Sequence, residues 1–349
     1  MAGFISLNQY LDTWSEARRE REEIAETVLC MAMAATKLSR TIARYPGFSP
    51  VGEPGSKNSD GDTQSSLDIH AHELFKNALS SAPVGLFVSE ESEVAILLNA
   101  SKSLGVAIDP LDGSSNIETN LPVGTIFSIF AFEQDNSQSA QNSFLDLKGV
   151  DQVAAGFFVF GPQTMLVLTL GDGTHIFSMD PESLDFQLCH ERVAIPESKR
   201  EFAINASNYR YWDNSIRGYI DDCIAGKAGP REEDFNMRWI DSLVAEAYRI
   251  LVSGGIFLYP RDLRPGYENG RLRLLYEAFP IALLIEQAGG AATDGEKRIL
   301  DQVNTTLHGR TPLIFGSKDK VERVARYYKS PPVEKNRFPL FEPRQLLRN

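Results

Sequence analysis

Cysteine is scarce in this chain: Cys30, Cys189 and Cys223 stand far apart and are odd in number, which leaves no basis for a disulfide framework or a thiolate metal site. Histidine is nearly as sparse. His70 and His72 form a His-x-His pair, but without a third His nearby the pair reads as solvated or packing and not as a transition-metal site. No apolar run is long enough to span a bilayer. Met1 is followed by a polar, amphipathic stretch instead of a basic region and an apolar core, which argues against a secretory signal and points to the cytoplasm. Neither Gly-x-x-x-x-Gly-Lys-[Ser/Thr] nor Gly-x-Gly-x-x-Gly occurs, so nucleotide-loop and dinucleotide readings lose their usual support. Positive charge is also short. The 35 Lys and Arg against 47 Asp and Glu give a formal net charge of −12, which repels nucleic acid and anionic membranes. The same charge repels any anionic substrate unless cations intervene, a first pointer to metals.

At 349 residues the chain is long enough for two domains, each with its own core. Between Ile24 and Ile42 the apolar residues Ile24, Val28, Met31, Ala35, Leu38 and Ile42 advance by alternating fours and threes, one face of a helix that Pro46 and Gly47 end. Phe48 to Ser66 is rich in Gly, Ser, Asp, Pro and Asn and reads as a long functional loop. Short β-rich runs follow at 86–88, 106–108, 125–132, 154–160 and 165–170, enough for several strands of one sheet. Beyond a polar stretch at Pro196–Arg200 the elements alternate. A helix around Leu243, Ala247 and Ile250 stops at Gly254-Gly255, a strand follows at Ile256–Tyr259, and a helix over Leu274–Ala288 stops at Gly289-Gly290. The expected class is α/β, with domains at 1–198 and 199–335 and a tail at 336–349.

The segment Asp109-Pro110-Leu111-Asp112-Gly113-Ser114-Ser115-Asn116 follows the apolar run Val106–Ile108. Two carboxylates three residues apart at a strand's end can converge on one hard cation, with the Leu111 carbonyl as a further oxygen. Gly113 permits a tight turn, and Gly113, Ser114 and Ser115 offer N–H groups and hydroxyls to an anion. Glu90-Glu91 ends another β-rich run, and paired carboxylates there call for solvent or cations. Asp62 and Asp68 bracket the end of the polar loop, and Glu277 sits among apolar neighbours that would bury it. Each motif alone also fits a solvated turn.

Together these blocks resemble class I fructose-1,6-bisphosphatases of bacterial type, within the lithium-sensitive, metal-dependent phosphatase superfamily. The resemblance rests on Asp109–Asn116 with Val123–Phe127, Val88–Glu91, Gly254–Pro260 and Leu272–Glu277 in the same order, and spans roughly Ile24 to Tyr328. It implies a layered sandwich of two mixed-sheet domains with helices between and outside, the sugar phosphatase fold. It further implies hydrolysis of the 1-phosphate of fructose 1,6-bisphosphate by metal-activated water, in gluconeogenesis or carbon fixation. Glu90, Asp109, the Leu111 carbonyl, Asp112 and Glu277 would hold two or three magnesium ions per subunit, or manganese. Asp68 and Glu91 would activate the attacking water. Asp112, Gly113, Ser114 and Ser115 would receive the 1-phosphate, and Asn205, Tyr209, Arg238, Trp239, Tyr259 and Arg271 the 6-phosphate. Arg238 would reach over from a neighbouring subunit of a homotetramer.

Two positions depart from the family's common pattern, Trp239 in place of Tyr and Arg271 in place of Lys. They leave sedoheptulose 1,7-bisphosphate open as an additional or alternative substrate. Ser103-Leu104 replaces the Lys-Tyr pair of the vertebrate AMP site, so AMP inhibition is not expected. The rival readings are an inositol-type or nucleotide 3′-phosphatase, and a catalytically silent sugar-phosphate sensor.

Overall fold

The computed structural model describes residues 5–16, 18–44, 66–132 and 142–331. The expected loop Phe48–Ser66, save its last residue, and the expected tail 336–349 lie outside them, as do Pro46, Gly47 and Asp62.

Five layers alternate helices and sheets. The outer helices are α1 (Leu7–Ser15), α2 (Arg19–Ile42) and α3 (Ser66–Leu79). The apolar stripe read from the sequence is the buried face of α2, and the helix begins earlier because Glu20 and Glu22 suit its positive N-terminal end. These helices cover an eight-stranded sheet of β1 (Val84–Ser89), β2 (Ile96–Leu97), β3 (Leu104–Asp112), β4 (Val123–Ala131), β5 (Gln152–Phe160), β6 (Thr164–Thr169), β7 (Thr174–Met179) and β8 (Phe186–His190), in the order 2-1-3-4-5-6-7-8. Among the described strands of this sheet, only β1 and β3 pair in parallel. The second sheet, ordered 10-9-11-15-13, contains β9 (Glu201–Ala203), β10 (Asn236–Met237), β11 (Ile256–Tyr259), β13 (Ala291–Thr293) and β15 (Leu313–Gly316). A two-stranded ribbon joins β12 (Leu272–Arg273) to β14 (Arg310–Thr311).

Alternation along the strands explains the layering. In β4, Phe127 and Ile129 pack with the outer helices, whereas Ile126 and Phe130 face the interior between the sheets. That interior is filled by α5 (Leu243–Ser253) and α6 (Phe279–Gln287), while α4 (Asn214–Ile224) and α7 (Lys318–Lys329) cover the far face of the second sheet. The structure therefore has the expected layered α/β class with two mixed sheets. Each half has a core of its own, one beneath the outer helices and one beneath α4 and α7, and a third, central core runs from Val88 to Phe315 and draws on both sheets. Strands β7 and β8 also escape the sequence reading, since neither carries a long apolar run.

Two elements near the future site differ from expectation. The strand expected to stop at Ile108 continues to Asp112. The expected Leu274–Ala288 helix is a π-helical turn, Leu274–Ala278, followed by α6. Pro280 near the start of α6 lacks the N–H that would extend an α-helical ladder backward. No described helix is long and apolar enough to cross a membrane.

Candidate active site

Side chains three residues apart on a regular strand point to opposite faces. Asp109 pairs opposite Ile126 and Asp112 opposite Gly124, so three steps along β3 match two along β4. This one-residue bulge, spanning Pro110 and Leu111, changes the parity and lets both carboxylates reach the same side. The Leu111 N–H donates to Asp109 Oδ1 at 3.0 Å, and Thr125 Oγ1 donates to the Pro110 carbonyl at 2.9 Å, fixing the bulge from both sides. Glu277 joins them from the π-helical turn, a device often found where a helix must re-aim one side chain. Oxygens of Asp109, Asp112 and Glu277 lie within 4.8 Å of one another, and all three residues are buried.

This cluster is charged beyond its local means of compensation. Burial raises the Asp109 carboxyl well above the usual carboxylate range, and Glu90, Asp112 and Glu277 push it further. Burial likewise raises Glu277, with Glu90 and Asp112 adding to it. Asp112 is pushed up to about 7 by burial despite the hydrogen bond it accepts from the Val244 N–H. Repelling carboxylates of this kind are stabilised when a cation binds between them. Their donors are all oxygen, which suits a hard divalent cation such as magnesium.

Two compensating groups escaped the sequence reading. Arg273, 2% exposed, places its Nε 3.1 Å from Glu90 Oε1. Its position four residues before Glu277 in Leu-Arg-Leu-Leu-Tyr-Glu is a local signal that could have found it. The second is the N-terminus of α5, whose Val244 N–H lies 3.2 Å from Asp112 Oδ2 and whose helix dipole favours a carboxylate there. Gly124 permits this approach, because a Cβ would meet Val244 at 2.6 Å and the Phe158 carbonyl at 2.2 Å. Nothing local in the sequence marks a contact across 132 residues.

The remaining predicted residues at this end fall close by in the fold. Gly113, in the left-handed region at φ 75°, turns the chain directly after Asp112 into the short helical turn Ser114–Asn116. Asn116 Nδ2 pins that turn to the Asp241 carbonyl at 2.6 Å. Glu90 and Glu91 follow β1, with the Glu90 N–H donating to the Ile108 carbonyl and the Glu91 N–H to Ser89 Oγ. Asp68 is buried in the first turn of α3. His72, one turn later on the same face, has its Nδ1 2.9 Å from Ser89 Oγ, so the Asp68 face of α3 docks at the end of β1 that carries Glu90 and Glu91. His72 is thus a packing residue, as read, while His70 is exposed.

The other predicted group divides. Asn205, Tyr259 and Arg271 line one cleft. Arg271 is two residues before Arg273, so a short piece of chain links this cleft to the acidic cluster. Trp239 stacks on Phe257 and on the cleft residue Tyr259 without lining the cleft itself. Arg238 is 59% exposed along its side chain and pairs with the buried Glu201, its Nε 3.2 Å away. Tyr209 does not reach the cleft: it is buried, and its hydroxyl donates to Asp221. Its neighbour Asn208 lines the cleft instead, along with Arg264 and Tyr267, none of which the sequence reading named.

Residues 7–191 match the family described as fructose-1-6-bisphosphatase, N-terminal domain, and residues 195–329 match its C-terminal domain. The fructose-1,6-bisphosphatase class 1 of Methylorubrum extorquens is 49% identical over 99% of this chain and 98% of its own. That of Sinorhizobium medicae is 54% identical over 93% of each. The crystal structure of Leishmania major fructose-1,6-bisphosphatase in holo form superposes with a TM-score of 0.86 at 34% identity, covering 94% of this chain and 99% of that one. These likenesses favour none of the alternatives of a sedoheptulose 1,7-bisphosphatase, an inositol-type phosphatase or a silent sensor. Matched in both halves and along almost its whole length, the chain belongs to the class 1 fructose-1,6-bisphosphatases.

Proposed function

We propose that the protein hydrolyses the 1-phosphate of fructose 1,6-bisphosphate, giving fructose 6-phosphate and inorganic phosphate. The observation that carries this is the convergence of Asp109, Asp112 and Glu277 beside a separate cleft lined by Arg264 and Arg271. A substrate with a phosphate at each end fits one acidic and one basic subsite. Glu90, Asp109, the Leu111 carbonyl, Asp112 and Glu277 would hold two or three magnesium ions. When bound, magnesium offsets charge on the phosphoryl oxygens and the leaving alkoxide and makes water more acidic.

The chain's own groups then have distinct tasks. Glu91, with Asp68, takes the proton of the attacking water. Gly113, Ser114 and Ser115 direct N–H and hydroxyl groups at the 1-phosphate. Water oxygen bonds to phosphorus in line with the departing O1, the P–O1 bond breaks, and O1 leaves with the electron pair and takes a proton from solvent water, while the proton held by Glu91 and Asp68 returns to solvent. Asn205, Tyr259 and Arg271 hold the other phosphate. We further propose a homotetramer in which exposed Arg238 serves the cleft of a neighbouring subunit.

Turnover in ¹⁸O-labelled water, followed by ³¹P NMR, tests the reaction. The label is expected in inorganic phosphate, with fructose 6-phosphate as the only sugar product. Inorganic phosphate released without the label, or a product retaining the 1-phosphate, contradicts the proposal.

A further inference from the structure

Residues 261–270, between β11 and Arg271, lie outside every motif that pointed to function, yet Asp262, Arg264 and Tyr267 help to wall the basic cleft. The shape of this loop is determined by its own hydrogen bonds. The Leu263 N–H donates to the Tyr211 carbonyl at 3.0 Å, the Asp262 N–H to the Tyr267 carbonyl at 3.2 Å, and the Tyr267 N–H to the Arg264 carbonyl at 3.0 Å. Gly270, at φ 78°, closes the loop where a Cβ would come within 2.3 Å of the Thr311–Pro312 backbone.

Inside this frame Arg264 is held from several directions. The buried Asp262 carboxylate accepts from the Arg264 backbone N–H at 2.9 Å and from Nε at 3.0 Å, and pairs with Nη2. Those bonds occupy the Nε–Nη2 edge of the guanidinium and leave the Nη1 edge for another acceptor. The guanidinium lies 4.3 Å from the Tyr267 ring centre and 4.7 Å from that of Tyr211. Arg271 lies 4.9 Å from the same Tyr267 ring. Of the cleft's charged lining residues, Arg264 and Arg271 are opposed only by Asp262. The cleft therefore carries a net positive charge on a chain whose formal charge is −12.

We infer that Arg264, seated on Tyr267 beside Arg271, is a specificity-determining residue that binds the distal phosphate, so each chain supplies two cations to its own subsite. The inference rests on the bisphosphatase reading above. A planar guanidinium matches phosphate with two parallel N–H bonds and stacks on aromatic faces, and the Asp262 pair holds it in place before substrate arrives. Asn205 and Asn208 add amide groups at the same cleft. Arg264 discriminates substrates with two phosphates from those with one and takes no part in the chemical step.

The test compares Arg264→Gln and Arg264→Lys with the unaltered enzyme. Three readouts are needed: KM for fructose 1,6-bisphosphate, KM for fructose 1-phosphate, and calorimetric affinity for fructose 6-phosphate in EDTA. With Arg264→Gln, KM for the bisphosphate rises and fructose 6-phosphate affinity falls, each about tenfold, the scale of one charge-assisted hydrogen bond. Fructose 1-phosphate kinetics stay unchanged, and Arg264→Lys recovers only part of the loss. Equal losses on both sugars, or unchanged bisphosphate KM and fructose 6-phosphate affinity, overturn the inference. If Arg264→Gln alone leaves Asp262 uncompensated and the protein misfolds, Asp262→Asn/Arg264→Gln removes both charges for the same comparison. An unaltered enzyme that never releases phosphate from the bisphosphate overturns the function proposed above instead. Fructose 6-phosphate binding that still depends on Arg264 would then preserve this inference, and binding indifferent to Arg264 would end both.

Discussion

The two ends of the site solve one electrostatic problem in opposite ways. At the acidic end Asp109, Asp112 and Glu277 are buried together, and the nearby Arg273 is directed at Glu90. At the cleft, Arg264 and Arg271 rest on an aromatic ring and stay partly in water. Charges that are buried and alike need a partner from solution, whereas charges that are stacked and solvated are stable without one. The difference makes a requirement for metal a property of the first end alone.

The sharpest way to break this contrast is to neutralise the acidic end. Asp109→Asn is expected to lower kcat by about a thousandfold or more, the scale of losing one preorganised charge contact in a transition state. It should leave the melting temperature of metal-free protein unchanged or higher, because it removes a buried repulsion. A large loss of stability in EDTA would make Asp109 a structural residue instead.

Next in size is the support that links the two ends. Glu246 is fully buried, accepts the Ile240 N–H at 2.9 Å, and pairs with Arg249, which in turn pairs with Glu201. This chain of charges anchors the segment carrying Arg238, Trp239 and the start of α5. Glu246→Ala is expected to cost about 2–3 kcal/mol in urea denaturation, since it removes a buried carboxylate with charge-assisted hydrogen bonds and leaves the partly buried Arg249 with Glu201 alone. An unchanged midpoint would show that Arg249 needs only Glu201.

A pH series sharpens the contrast. The folded-state pKa values of Asp109, Asp112 and Glu277 are raised, that of Asp112 to about 7. The fold therefore keeps protons that the unfolded chain has released. The associated stability is complete below the ordinary carboxylate range of about 4 and is lost as pH rises toward about 7. In EDTA the melting temperature should fall between about pH 5 and about pH 8 on this account, and magnesium should raise it more at the higher pH. Equal magnesium increments at both pH values would contradict the coupling.

The smallest effect is expected at Tyr209. Its hydroxyl already donates to Asp221 at 2.9 Å, so Tyr209→Phe should cost about 1 kcal/mol of stability and leave KM for the bisphosphate unchanged. A tenfold rise in KM would put the hydroxyl back in the site.

What could be read from sequence was local. Asp109 and Asp112 are near neighbours after an apolar run, and their candidacy needed no tertiary information. The reason they converge is a bulge against β4, which a strand expected to end at Ile108 could not reveal. The apolar periodicity of α2 gave its buried face, but the core shared between the sheets depends on how distant elements stack. Asn208 and Tyr209 exchange places relative to expectation because the chain at 206–211 is a tight helical turn, where adjacent residues point in different directions. Arg264 and Tyr267 lie in a polar loop that reads as a connection, and acquire meaning only when the fold places Arg271 beside them.

The most direct measurement is phosphate release from fructose 1,6-bisphosphate by the purified, folded protein, with magnesium and then with EDTA. The account predicts release of one phosphate per substrate with magnesium, none in EDTA, and recovery when magnesium is restored. Release at the same rate in EDTA, or silence in magnesium from protein that is demonstrably folded, would contradict it.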